Sequence, residues 1–233
     1  MPYGNMTLEE LARHIGMDTR EVKRFADRGT LPGHMIGGRW RFNRAQLLDW
    51  LQSELHTLDE THIRNLERAM SDGSADALVS SLLVDEAVEM HLAAKSKASV
   101  LRELVGLAER VGLVYDRPGI VEALQTREAL CSTALPGGIA LPHPRRPLEY
   151  EIAEPLICLA RVPAGIPFGA PDGRLTDLFF LVCCRDERRH LCVLARLALM
   201  FSAGLADALR ETGDAEEALA LVLRTEEQVM AQG

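Results

Sequence analysis

Apolar residues in the first fifty positions recur at helical spacing in short blocks separated by turn residues. Leu8, Leu11, Ala12 and Ile15 predict a helix over 7–15; Val22 and Phe25 predict a second over 19–28, with Gly16-Met17 turning between them. Thr7-x-x-Glu10, Asp18-x-x-Glu21 and Asn43-x-x-Gln46 each place a capping side chain three residues before a Glu or Gln. Such a pair satisfies the free N–H groups of a first helical turn. Between Gly33 and Phe42 the pattern changes to alternation around Gly37-Gly38, which predicts a hairpin with a primed turn. On its second strand Trp40 and Phe42 fall on one face and Arg39 and Arg41 on the other. Residues 44–70 contain no proline or glycine and read as one long helix. Leu48, Leu51, Leu55 and Leu58 follow a 3–4 spacing along it before the pattern shifts to Ile63, Leu66 and Met70. That seam fits either a homodimer or packing on its own domain. Ser71-Asp72-Gly73-Ser74 is the clearest linker signal.

From about residue 78 helices alternate with short strands. Helices are predicted over 99–112, 117–129, 187–204 and 215–224, and strands over 139–141, 156–162 and 178–184. Pro171-Asp172-Gly173 marks a turn. The chain is therefore expected to be an α/β (α+β) protein in three parts. These are a winged helix-turn-helix over 1–56, a linker helix and loop over 57–77, and a mixed β-sheet flanked by helices over 78–233.

Charge separates the two halves. Residues 1–56 carry eight Lys/Arg and seven Asp/Glu, a net of +1, whereas residues 57–233 carry a net of −9. The acidic part is a poor ligand for nucleic acid, so any DNA footprint must come from local clustering in the first part. Arg20, Lys23, Arg24 and Arg28 collect on the open face of the second helix, and Arg39 and Arg41 on the hairpin. Five cysteines (Cys131, Cys158, Cys183, Cys184 and Cys192) form no Cys-x-x-Cys pair, and most sit in apolar company. Reduced thiols, no run of 18 apolar residues and no signal-peptide pattern give the expectation of a cytoplasmic protein without a membrane partner.

The chemistry gathers around Gly137-Gly138-Ile139-Ala140-Leu141-Pro142-His143-Pro144-Arg145. Ile139-Ala140-Leu141 reads as a buried strand ending at a histidine that two prolines restrain, which suits a displayed nucleophile as well as an ordinary loop histidine. His190 falls in the first turn of a helix that Asp186 caps. There the helix dipole favours anions and a neutral imidazole, although an exposed polar residue on an amphipathic helix would look the same. The spacing of His143, His190 and the cysteines matches no zinc pattern, and no metal or other cofactor is expected.

Two resemblances follow from these residues. Thr7-Leu8-Glu9-Glu10-Leu11-Ala12, Arg28-Gly29-Thr30-Leu31-Pro32 and Gly38-Arg39-Trp40-Arg41-Phe42, followed by Leu48-Asp49-Trp50-Leu51, resemble the excisionase-like, MerR-like winged helix-turn-helix family over about residues 5–55. That family implies duplex DNA as partner, with the second helix in the major groove and the wing on the backbone. Four patterns then occur in order: Leu124-x-x-Arg127-Glu128 with Ser132-Thr133, Gly138-Ile139-Ala140-Leu141-Pro142-His143, Phe168-x-Ala170-Pro171-Asp172-Gly173-x-x-x-Asp177-Leu178, and His190-Leu191-x-x-Leu194-Ala195. Together they resemble the enzyme IIA domain of the phosphoenolpyruvate phosphotransferase system, in its fructose–mannitol and nitrogen-regulatory class, over about residues 79–230.

This second resemblance implies that His143 accepts a phosphoryl group from the histidine-containing phosphocarrier protein. It implies that His190 supports the group, that Arg127 meets its oxygens, and that Thr133 hydrogen-bonds the imidazole or the phosphate. The family commonly has a glycine where Pro144 stands, which removes any amide donor there, and Arg145 and Arg146 follow at once. The expectation is a regulatory phosphocarrier of nitrogen-regulatory type with a DNA-binding head. Two other readings stay open. One is a sugar-uptake component with a protein-binding head; the other is a regulator that senses a ligand or partner and is never phosphorylated.

Overall fold

The computed structural model describes residues 5–71 and 79–232. The Thr7 signal forms a reciprocal cap on α1 (Leu8–Ile15): Glu10 N–H donates to Thr7 Oγ1 (3.2 Å) and Thr7 N–H to Glu10 Oε2 (2.7 Å). Asp18 caps α2 (Thr19–Asp27) through Arg20 N–H alone, and Asn43 caps α3 (Arg44–Glu54) through Ala45 and Gln46 N–H. The wing is a three-stranded antiparallel sheet with β3 (Arg39–Asn43) between β1 (Asn5–Met6) and β2 (His34–Ile36). Ile36 pairs with Arg39 across Gly37 and Gly38, both at positive φ (57° and 73°), as a primed two-residue turn requires. β1 is too short to leave a pattern in the sequence.

The long helix expected over 44–70 is instead two helices. A single 3-10 turn (Leu55–Thr57) ends α3, Leu58 is extended, and Asp59 starts α4 (Glu60–Met70) by accepting from His62 N–H at 3.0 Å. A residue that caps well competes with helix continuation, and here the cap prevails. The bend returns the apolar seam onto the chain itself: Leu51, Leu55, Ile63, Leu66 and Met70 are all buried, with α4 packed between α1 and the second domain. No second copy is needed to cover them. Of the linker expected over 57–77, residues 72–77 lie outside the described residues.

The second domain carries β4 (Leu83–Glu89), α5 (Lys97–Arg110), α6 (Arg117–Leu130), β5 (Ala134–Leu135), β6 (Ile139–Ala140), β7 (Leu156–Ile166), β8 (Thr176–Cys183), α7 (Glu187–Ser202), α8 (Leu205–Glu211) and α9 (Ala215–Ala231). Its mixed sheet has the order β4-β7-β8-β6-β5. β4 runs parallel to β7 and β6 parallel to β8, while β7–β8 and β5–β6 are antiparallel. The near-continuous apolar runs of β7 and β8 are buried on both faces, as strands flanked by helices must be. Four of the five cysteines are buried, Cys131 is exposed, and all five are free thiols.

α7 is buried along most of its length because α4 covers one side and the rest of the second domain the other. Arg196 lies in its middle, 1% exposed, paired with Glu67 of α4 and with Glu226 of α9 (2.9 Å). Arg188 donates to the carbonyls of Ala69, Met70 and Ser71 at the end of α4. α4 is thereby tied to the second domain by charge as well as by apolar packing.

Candidate functional site

Glycine and aspartate hold the approach to β6. Gly138 has φ of 81°, and a Cβ there would lie 2.9 Å from both Arg210 and Asp177. Arg210 pairs with Asp177 (2.8 Å) and donates to Gly137 O, while Gly137 N–H donates to Asp172 of the Pro171-Asp172-Gly173 turn (2.8 Å). Beyond β6 the extended chain keeps its partners: Leu141 N–H donates to Thr133 O (3.0 Å) and Val182 N–H to Pro142 O (2.9 Å). His143 comes directly after this anchored segment.

Four residues singled out in the sequence are buried here: His143 at 3% exposure, His190 at 4%, Arg127 at 5% and Thr133 at 6%. The imidazole centroids of His143 and His190 are 5.0 Å apart, tilted by 56°. His143 Nδ1 lies 2.7 Å from Leu141 O, an oxygen that can only accept, so Nδ1 carries the proton and Nε2 the free lone pair. Burial holds the His143 pKa well below its ordinary value, assisted by His190 and the Arg127 guanidinium. Burial, with Arg127, lowers His190 to about 4. Both rings are neutral at pH 7. Each Nε2 is buried without a hydrogen-bond partner among the described residues.

Asp186 caps α7 through Arg189 N–H (2.8 Å), which puts His190 in the first turn as expected. Thr133 departs from its expected role toward the imidazole. Its hydroxyl donates to Glu128 Oε2 at 2.6 Å and its N–H to the same carboxylate, which Lys97 also pairs at 2.9 Å. A buried carboxylate is a stronger acceptor than a neutral ring, so it takes the hydroxyl proton. Arg127 Nη1 donates to Cys131 O (2.8 Å), which fixes its direction. Among the described residues no group of three His, Cys, Asp or Glu side chains could hold a metal ion.

The head also reaches this place. Asp49, Gln52, Ser53 and His56 follow i, i+3, i+4, i+7 spacing along α3 and its 3-10 extension. Gln52, Ser53, Leu55 and His56 line a cavity of about 40 Å³ with His143, Thr133, Leu141 and Leu194. Asp49, Gln52 and Ser53 line a neighbouring cleft of about 220 Å³ with Arg127 and Arg145. Arg145, two residues after the histidine, pairs with Asp49, and Arg44 pairs with Glu187 (2.8 Å). A polar stripe on a helix normally faces water, so its spacing alone did not point to the site.

The basic side chains of the head lie elsewhere. Arg20, Lys23, Arg24 and Arg28 are exposed along α2 and line a shallow groove with Asp27. Lys23 pairs with Asp27 (2.6 Å) and Arg24 with Glu21 (3.1 Å). Arg39 is exposed on β3; Arg41 is half-buried, and its Nη1 donates to Trp40 O (3.0 Å). Trp40 stacks on Phe42 at 6.0 Å and donates to Asp27, on the face opposite Arg39.

Residues 81–224 match the family model of the phosphoenolpyruvate-dependent sugar phosphotransferase system, EIIA 2, and residues 6–54 that of a helix-turn-helix domain. The chain is 33% identical over 141 residues to the nitrogen regulatory protein of Bradyrhizobium diazoefficiens, covering 59% of this chain and 90% of that one. It is 27% identical over 124 residues to the PTS system fructose-specific EIIABC component of Bacillus subtilis, covering 52% of this chain but only 19% of that protein. The crystal structure of nitrogen regulatory protein IIA-Ntr from Neisseria meningitidis superposes with a TM-score of 0.56 at 27% identity, over 62% of this chain and 98% of that one.

Proposed function

Because this chain belongs to the phosphoenolpyruvate-dependent sugar phosphotransferase system EIIA 2 family and carries an N-terminal helix-turn-helix domain, we propose that it is a cytoplasmic regulatory phosphocarrier with a DNA-binding head. The head spans 1–56 and the acceptor domain 78–233. The observation that carries the reading is the tautomer of His143. With Nδ1–H held by Leu141 O, the lone pair on Nε2 is the nucleophile. Nε2 attacks phosphorus of the phosphohistidine on the histidine-containing phosphocarrier protein; a new N–P bond forms as the donor's N–P bond breaks and its electron pair returns to the donor ring. His190, in its Nε2–H tautomer, and Arg127 supply fixed donors for the equatorial oxygens. The chemistry needs no metal.

The head binds duplex DNA through Arg20, Lys23, Arg24 and Arg28 on α2 and Arg39 and Arg41 on the wing. One such unit reads only a few base pairs, so useful affinity calls for two copies, joined through a surface other than the seam already buried by α4. A regulator that is never phosphorylated has one observation in its favour, the burial of His143 at 3% exposure. Mixing the full chain with phosphoenolpyruvate, enzyme I and the phosphocarrier, followed by intact mass measurement, separates the two readings. One phosphoryl mass that His143→Ala abolishes supports the phosphocarrier; no added mass supports the rival.

A further inference from the structure

Gln52 belongs to the head, yet it lines the same cavity as the candidate acceptor His143. Both amide atoms, Nε2 and Oε1, are buried with no hydrogen-bond partner among the described residues, as are Nε2 of His143 and Nε2 of His190. A buried primary amide left unpaired is costly, and one that shares a cavity with His143, whose Nε2 is also unpaired, points to a group that both meet. Gln52 lines both openings at this place, the cavity with His143 and the cleft with Arg127 and Arg145. The cavity measures about 40 Å³. That is more than the roughly 10–15 Å³ that one water needs, so a small polar group has room to enter.

The donor types agree as well. Phosphoryl oxygens only accept, and an amide Nε2 offers two protons. Asp49 holds α3 in position through Arg145, two residues beyond the histidine in the chain.

We propose that Gln52 is a phosphoryl ligand delivered by the head: α3 closes over phosphorylated His143 and the Gln52 amide donates to one of its oxygens. The inference rests on the acceptor reading above. It gives the closed head a definite chemistry. A donor protein cannot reach a histidine that is 3% exposed, so the head lifts for transfer. Its return shields phosphorus from water. Without that shield a water oxygen attacks phosphorus, the N–P bond breaks with its electron pair returning to Nε2, and inorganic phosphate leaves.

The test uses the full chain, phosphorylated by phosphoenolpyruvate, enzyme I and the phosphocarrier, then freed of them and followed by intact mass at pH 7. Gln52→Leu should shorten the lifetime of the phosphoryl group about tenfold, the value of a hydrogen bond to a charged group. The unphosphorylated Gln52→Leu protein should melt no lower than the parent, because an unpaired amide has been removed. Asp49→Lys, which sets two cations against each other at the latch, should quicken uptake and shorten the lifetime. An unchanged lifetime in either variant overturns the inference. So does a lower melting temperature of unphosphorylated Gln52→Leu, since that would mean the amide is already partnered. Phosphoryl uptake with a lifetime indifferent to Gln52 defeats this inference alone; no added mass in the parent or in Asp49→Lys defeats the acceptor reading with it.

Discussion

A neutral imidazole is the reagent that the proposed phosphoryl transfer needs, and burial supplies it twice. His143 and His190 both lie below their ordinary pKa of 6.5, with His190 at about 4. His143→Ala should abolish phosphoryl uptake, and His190→Ala should slow it roughly a hundredfold, the usual effect of losing one fixed donor at a developing charge. Rapid-quench labelling measures both, and an unchanged rate would remove His190 from the mechanism. The same shifts set a pH dependence of stability. Below 6.5 the unfolded chain binds protons that the folded one refuses, so stability is full above about pH 6.5 and falls as the pH drops toward the folded values. His190 alone should cost roughly 2 kcal/mol at pH 5, at about 1.4 kcal/mol per unit. Denaturant titrations at pH 7 and 5 should show this fall, and His190→Gln should remove part of it.

At the scale of elements, α7 carries the strongest single dependence. Arg196 sits between Glu67 and Glu226, and Val79 and Ser80 N–H also donate to Glu226. Arg196→Met leaves two carboxylates buried without their cation and should cost about 3–5 kcal/mol, read as a shift in the denaturation midpoint. Adding Glu67→Gln and Glu226→Gln should recover part of the loss; no recovery would mean that packing rather than charge sets the cost. α2 depends on charge in a different way. Its pairs Lys23–Asp27 and Arg24–Glu21 are exposed, and exposed pairs hold little energy, so phosphates can replace the partners. Reversing Lys23 and Arg24 to Glu should weaken duplex binding far more than reversing Arg102 and Arg110, with a shallower salt dependence in anisotropy titrations.

At the scale of the whole molecule, α3 rather than the wing faces His143, because the head residues that line its cavity come from α3 and its extension. α2 stays open. Phosphorylation adds nearly two negative charges to a part of the chain already at −9 and held against the head. The phosphorylated chain should therefore bind duplex DNA more weakly than the unmodified chain or His143→Ala at matched salt, with the difference fading as salt rises. An unchanged dissociation constant would mean that a partner protein reads the phosphate instead.

Local signals settled the elements. Capping pairs at Thr7, Asp18 and Asn43, the Gly37-Gly38 turn and the apolar runs of β7 and β8 act within a few residues, so their outcome is readable in order along the chain. β5 and α8 left too few residues for a periodicity, and the acidic Asp85-Glu86 masked β4. His143, His190 and Arg127 were legible as a set only through the order of four motifs, which carry the record of a shared fold; Thr133 was legible as a neighbour but not as a partner of Glu128. The break at Asp59 was not legible, since one good cap inside a helical pattern decides nothing until packing favours the bend. Nor was the stripe Asp49, Gln52, Ser53 and His56, because a polar helix face is written the same way whether it meets water or a histidine 91 residues beyond Gln52. Elements with caps, turns and long apolar runs of their own follow from neighbours in the chain, and the sequence determined those. The bend at Asp59 and what covers His143 follow from contact between distant segments, and only the tertiary structure decided them.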